Sequence, residues 1–200
     1  MVPDEIDAAA GVLAAAFVDE PIFVAALPAR TARERLCPPL FAANLRHALR
    51  FGEVLVAADG GAVVGAGYWA PRPEPALAAA DGAALGFTAL GAEWGDALTR
   101  LGGIEAEAAR TLNTLPEPWR YLGSIGITPE RQGQGLGSLL LRRLLGDAAA
   151  AGQPVGLITD RAENLPFYRR AGFDLVAEGA AADGKLRWWS FAALPAVTKA

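Results

Sequence analysis

Scarcity is the first property of this 200-residue chain, which holds one cysteine, one histidine and one methionine. A single cysteine excludes an internal disulfide and fits a reducing compartment. Cys37, His47 and the scattered carboxylates nowhere fall at metal-ligand spacing, so no metal site is expected. Lysine and arginine are absent before Arg30, and Asp4, Glu5 and Asp7 stand where a secretory leader would be positive. The apolar run from Ala8 to Val18 is too short to span a bilayer, and later runs are interrupted by charge or proline. Positive charge is also in deficit: the formal net charge is −4 and the pI about 5.1. That balance argues against general affinity for nucleic acid or anionic membrane. A soluble, cytoplasmic protein is expected.

What is present is core. Apolar residues make up 52% and charged residues 20%, and the mean hydropathy is +0.24. This is the composition of a folded chain, long enough to form one domain over residues 1–200. The 18 basic residues are nearly all arginine and alanine is abundant, which reflects a GC-rich coding bias.

Apolar spacing predicts a helix from Ile6 to Val18, ended by Asp19-Glu20-Pro21. A second helical stretch runs from Ala29 to Arg50, with Cys37-Pro38-Pro39 expected to break it in two. Glu53 to Ala58 and Ala62 to Trp69 are strand patterns around Asp59-Gly60-Gly61, a hairpin signal. A loop with Pro71, Pro73 and Pro75 follows, then helical pieces between Ala76 and Leu115 divided by glycines. Tyr121 to Ile127 is a central strand, Ser138 to Ala151 a helix, and Val155 to Thr159 the next strand, so a parallel βαβ unit is expected. A short helix from Leu165 to Ala171 precedes a last hairpin around Asp183-Gly184. The fold class is α/β: a mixed sheet, antiparallel at first, with a parallel core and a C-terminal hairpin.

The most informative stretch is YLGSIGITPERQGQGLG, Tyr121 to Gly137, followed by SLLLRRLL. A strand, a glycine-dense turn and a helix start direct free backbone N–H groups and the positive end of a helix dipole at one spot. Such a spot suits a pyrophosphate. A Walker loop needs Gly-Lys-Ser/Thr, and no lysine is near. A dinucleotide fingerprint can be laid on Gly133, Gly135 and Ser138, with Asp160 as the ribose-binding acid. Against it, five residues, Thr128 to Gln132, separate the strand from the turn, and the glycine is at 137 rather than 138. The pattern Q/R-x-x-G-x-G/A is met without adjustment by Gln132, Gly135 and Gly137.

With these residues the sequence resembles the GCN5-related N-acetyltransferase (GNAT) family, in which this motif holds the pyrophosphate of acetyl-coenzyme A. NLPFYRRAGF, Asn164 to Phe173, is similar to the family's second signature, N-x-x-x-x-Y-x-x-x-G-F. The wording around both motifs is nearest to small-molecule members such as puromycin N-acetyltransferase, and Phe17…Asp19-Glu20-Pro21 is similar to that branch too. The resemblance implies a cofactor site of Ile125, Gly126, Ile127, Gln132, Gly133, Gln134, Gly135, Leu136, Gly137, Ser138, Asn164, Phe167 and Tyr168. It implies a backbone N–H near Ile127 as oxyanion donor and Tyr168 as general acid, a role that a phenol of pKa about 10 can fill. The expected activity is acetyl-CoA-dependent transfer of an acetyl group to a primary amine of a small molecule, directly within a ternary complex. Two other readings share these motifs: a non-catalytic acyl-CoA sensor or interaction module, and a peptide or protein N-acetyltransferase. Family members often form homodimers, and no segment here identifies an interface.

The general base is open. Related sequences often carry an acid in the strand Val155 to Thr159, where this chain has Ile158. Asp19, Glu20, Glu93 and Glu105 lie in segments that could border an acceptor pocket, but each reads first as a solvated surface charge, and no base is named. Asn164 also stands where a helix N-cap belongs. His47 fits a packed structural residue, Cys37 an inert thiol, and Trp69, ahead of the proline loop, a wall of the acceptor pocket.

Overall fold

The computed structural model describes residues 3–181 and 184–195. Its first half is helical. Helix α1 (Pro3–Phe17) buries Ala9, Ala10, Leu13 and Ala14 at spacings that keep one stripe inward. Helix α2 (Pro21–Ala26) starts on Pro21, whose fixed φ and missing N–H suit a first turn. Helix α3 (Arg30–Phe51) is continuous, contrary to the expected break at Cys37-Pro38-Pro39. The two prolines withhold the N–H groups that Glu34 and Arg35 carbonyls would accept, yet their φ is compatible with a helix. Burial of Leu36, Cys37, Leu40, Phe41 and Leu45 on both sides of the prolines holds the helix together across them.

Strands β1 (Glu53–Asp59) and β2 (Ala62–Arg72) form the hairpin expected at Asp59-Gly60-Gly61. Helices α4 (Ala79–Leu85), α5 (Phe87–Trp94) and α6 (Asp96–Ala109) follow. Gly86 and Gly95 separate them, whereas Gly91, Gly102 and Gly103 lie within helices. Strand β3 (Trp119–Ile127), helix α7 (Leu136–Ala150) and strand β4 (Val155–Thr159) make the parallel βαβ unit. Helix α8 (Leu165–Arg170) leads into β5 (Asp174–Ala180) and β6 (Arg187–Ala193), an antiparallel pair. Of the turn expected between them, Gly184 is described and Asp183 lies outside the described residues.

The six strands form one sheet in the order β1-β2-β3-β4-β6-β5. Helix α7 packs Leu141, Leu144 and Ala148 on one face, with Leu122, Leu157 and Phe191. Helices α1, α3, α5 and α6 build a second core on the other face, around Leu13, Phe41, Tyr68 and Trp94.

One irregularity organises the centre of the sheet. Tyr68 pairs with Ser124 and Trp69 with Leu122, so Gly123 is an extra residue in β3 with no partner in β2. This is a β-bulge, which bends its strand. On its other edge β3 pairs with β4 only at Arg120↔Val155 and Tyr121↔Gly156, and beyond the bulge the two parallel strands part. A Cβ on Gly123 would lie 2.2 Å from the Tyr68 ring, so only glycine permits this packing.

Gly123→Ala should therefore destabilise the fold by about 1–3 kcal/mol, the usual range for overpacking. Gly103→Ala in α6, where an added Cβ meets nothing within 4 Å, should stabilise it by up to about 1 kcal/mol. Urea denaturation of the two variants checks the opposite signs.

Candidate active site

The parting of β3 and β4 opens a cleft of about 760 Å³. Ile125, Gly126 and Ile127 line it from one strand, and Leu157, Ile158 and Thr159 from the other. Helix α1 closes over its end: Ala16, Leu13 and Phe17 come so near Gly126 that a Cβ there would touch them at 3.0–3.2 Å.

The glycine turn stands at the mouth of this cleft. After β3 a single 3-10 turn, Pro129–Arg131, occupies the five-residue gap noted in the sequence. Gly133 and Gly135 take φ of 75° and 82°, left-handed values that favour glycine. Gly135 also caps α7, so the first-turn N–H groups of Leu136, Gly137 and Ser138 have no helical acceptor. Among the described residues, no hydrogen bond from the backbone N–H groups of 133–138 is found. A row of free donors at the start of a 15-residue helix is a nest for an anion. The Gln132 side chain does not point at that nest: its Nε2 donates to the Ile127 carbonyl at 3.1 Å, tying the turn to the strand end.

Gln132, Gly133, Gly135, Gly137, Ser138, Asn164, Phe167 and Tyr168 all line the cleft with the three β3 residues. Gln134 and Leu136 do not; the Gln134 Nε2 reaches back to the Glu130 carbonyl at 3.4 Å. Asn164 occupies the N-cap position of α8 but makes no side-chain cap. Its Nδ2 donates instead to Thr159 Oγ1 at 3.3 Å, which joins α8 to the end of β4.

Tyr168 is buried, its ring held edge-on by Phe167 and Phe173. Burial, then the charges of Glu20 and Asp160, push its hydroxyl above the ordinary phenol range, so it keeps its proton at any working pH. Those two acids form the cluster that sequence reasoning missed as a unit. Asp160 Oδ2 accepts the Ile22 N–H at 2.6 Å, and Arg161 Nε donates to Glu20 Oε1 at 2.6 Å. Glu20 is only 8% exposed. Burial, and then the Asp160 carboxyl beside it, raise Glu20 well above the usual carboxylate range, although Arg161 opposes the shift. Of the other acids named from sequence, Asp19 faces solvent, paired with Arg30 and Arg33, and Glu93 pairs with Arg35 at the surface.

A second cavity, about 360 Å³, lies between the helical layer and β2–β3. Its lining shares Phe17, Gly123, Ser124, Ile158 and Asp160 with the cleft, so the two spaces adjoin at the bulge. Tyr68, Ala70 and Arg72 of β2 face it. Trp69 does not: alternation turns it to the opposite face, near Leu141, Leu144 and Leu145, where the Arg120 guanidinium lies 4.0 Å from its ring. Trp69 is therefore not a wall of this cavity. His47 is packed and 5% exposed as its stripe suggested, yet it also lines the cavity, with Nε2 3.5 Å from Glu74 Oε1. Cys37 is fully buried, and burial pushes its thiol up to about 11, in keeping with an inert residue.

Glu105 of α6 lines the same cavity, and its side chain is exposed there rather than packed. Desolvation by the protein around the cavity pushes its carboxyl up to about 7, with Arg72 opposing and Glu74 adding to the shift. No sequence signal marked it apart from its segment.

A model of the acetyltransferase (GNAT) family matches residues 25–173. Among solved structures, a Corynebacterium glutamicum protein described as histone acetyltransferase HPA2 and related acetyltransferase is 22% identical, with a TM-score of 0.68 over 100% of this chain and 96% of that one. An arylalkylamine N-acetyltransferase from Aedes aegypti superposes with a TM-score of 0.70 at 14% identity, over 97% of this chain and 96% of its own. A polyamine N-acetyltransferase of Drosophila melanogaster gives 0.56 at 18% identity, over 92% and 91%. At these identities the likeness is one of fold.

The raised Glu105 value has a consequence for stability. A carboxyl whose folded-state pKa exceeds its unfolded one holds its proton longer in the native state, so stability falls as pH rises from about 4.5 to 7. Glu105→Gln lacks that loss, so its Tm relative to the wild type should rise between pH 5 and pH 8, as read by calorimetry.

Proposed function

The chain belongs to the GNAT acetyltransferase family, and on that premise we propose that it transfers the acetyl group of acetyl-CoA to a primary amine of a small molecule. The observation that carries this reading is the meeting of the two cavities at Gly123, Ser124 and Asp160, with Tyr168 and Glu20 on the cleft side of the junction. One space is walled by a pyrophosphate nest and a free strand edge, the other by aromatic and acidic side chains. A cavity of about 360 Å³ has the size of a small-molecule site, which favours such an acceptor over a peptide.

Acetyl-CoA supplies an activated acyl carbon and a thiolate leaving group. The N–H groups of 133–138 hold the diphosphate, and the edge of β3 that β4 has left, Ile125 to Ile127, offers backbone groups to the pantetheine arm as an added strand would. An N–H near Ile127 donates to the carbonyl oxygen as it gains negative charge. Attack requires a neutral amine, so one proton must leave the ammonium. Glu20 receives it: burial, and then the neighbouring Asp160, raise its proton affinity well above that of an ordinary carboxylate. Tyr168 donates its hydroxyl proton to the departing sulfur. No acyl-enzyme is required, since the one thiol, Cys37, is buried away from both cavities.

Release of CoA in the presence of an amine panel tests the activity; a sensor module predicts none with any amine. Tyr168→Phe should lower kcat by roughly 10²–10⁴-fold while CoA affinity by calorimetry stays within a factor of a few, and near-normal turnover would refute the acid role. Glu20→Gln should lower kcat/KM by a similar factor, about 10²–10⁴. It should also abolish the rise in wild-type kcat/KM that accompanies deprotonation of Glu20 as pH increases. An unchanged pH profile in that variant would exclude Glu20 as the base.

A further inference from the structure

The acidic groups of this molecule fall into two sets at different places. Glu20 and Asp160 act on each other and on Tyr168, where the two cavities meet. Glu105 belongs to another neighbourhood: its surroundings are Arg72 and Glu74, and its charge is felt by Tyr68 and Tyr121. Transfer of one acetyl group to one amine employs only the first set. The second is left without a task by the chemistry.

The Glu105 carboxyl is also left without a partner. Among the described residues none lies within hydrogen-bonding or ion-pair distance of it. The nearest cation, Arg72, is engaged elsewhere: its guanidinium lies 4.8 Å from the centre of the Tyr121 ring, donates to the Pro71 carbonyl and sits 3.8 Å from Glu74. His47 does not supply the missing charge. Burial lowers its pKa below the ordinary imidazole value despite Glu74, and its Nε2 has no hydrogen-bond partner. The wall made by His47, Arg72, Glu74 and Glu105 therefore carries a net negative charge, and Asp160 adds to it at the junction. Around these groups stand Phe17, Phe41, Phe87 and Trp188, with Tyr68 and Tyr121 beside the acid. Aromatic faces next to an unpaired carboxylate favour an organic cation on both dispersion and electrostatic grounds.

We propose that the acceptor carries a second cationic group besides the amine that is acetylated, and that Glu105 binds this distal cation while the reacting amine lies at Asp160. The acceptor class is then a diamine or an amine bearing a guanidinium, with an apolar spacer against the aromatic walls. Glu105 is a specificity-determining residue in this scheme and takes no part in proton transfer. The inference rests on the acetyltransferase reading above and adds to it the chemistry of the acceptor's far end.

The test is steady-state CoA release with unbranched terminal diamines, monoamines of the same chain length and the matching ω-amino acids. Wild-type kcat/KM should favour diamines over monoamines by roughly 10- to 100-fold, the range for one hydrogen bond to a charged group. Glu105→Gln should bring that ratio towards one, acting mainly through KM, and Glu105→Asp should restore part of it. Melting curves verify that both variants are folded, and the wild-type ratio decides should either fail to fold. Equal wild-type rates for diamines and monoamines would overturn the proposal, as would preference for ω-amino acids, which would assign recognition to Arg72. A loss in Glu105→Gln that is the same for diamines and monoamines would overturn it as well, because Glu105 would then act at the reacting amine. Absence of CoA release with every amine is instead a failure of the acetyltransferase reading. Calorimetric binding of diamine and monoamine to the CoA-saturated protein then decides the present one: tighter diamine binding that Glu105→Gln removes supports it, and equal binding overturns it.

Discussion

Strands β3 and β4 are joined at Arg120 and Tyr121 and then part, and every functional feature of the molecule follows from that separation. Two parallel strands in mid-sheet normally satisfy each other's backbone groups along their length. Here the bulge at Gly123 bends β3 away, so the edges beyond it face a cleft. A strand edge in the middle of a sheet is a binding surface ready-made for an extended, amide-bearing chain. The same bend lets the Tyr68 ring occupy the space above Gly123 and so defines the floor of the second cavity. One extra residue in one strand thus shapes the cleft, the second cavity and their junction.

The electrostatics of the site run against stability. Glu20 lies buried beside Asp160, and Glu105 lines the second cavity without a counter-ion of its own. Acids in such surroundings destabilise the ionised protein and persist where a ligand supplies the missing charge or a reaction uses the proton. The surrounding fold offsets them. Arg161 answers Glu20, and the Ile22 N–H answers Asp160. These bonds tie the entry of α2 to the end of β4, residues 138 positions apart, and hold the acids where α1, α2 and β4 converge.

The donor half of this arrangement was legible in the sequence because it is made of backbone. Gly133, Gly135 and Gly137 are spaced by the needs of one turn, and Gln132, Asn164 and Tyr168 are spaced by the helices that follow. Local pattern therefore carried most of the cleft. Long-range packing carried the rest. The continuity of α3 through Pro38 and Pro39 depends on a core that local proline rules do not include. The place of Trp69 on the α7 face depends on which face of the sheet each helix covers, and that is settled by long-range packing. Glu105 had no signature at all: on α6 it is one carboxylate among several, and it becomes distinctive only when the fold sets it on one cavity with residues of β2, β3 and α3.

This division has a physical reason. In the proposed reading a pyrophosphate and a pantetheine arm meet N–H and C=O groups that any side chains leave in place, so the cleft needs only a bent strand, a glycine turn and a helix start. The second cavity is lined by side chains brought from α1, α2, α3, α5, α6 and four strands, scattered from Phe17 to Trp188. Substitution at a lining position outside the shared wall of Phe17, Gly123, Ser124, Ile158 and Asp160 alters the second cavity without touching a residue of the cleft. A fold so arranged can keep its donor while its acceptor varies. In the proposed reading the charge of the second cavity, rather than the glycine turn, selects the acceptor.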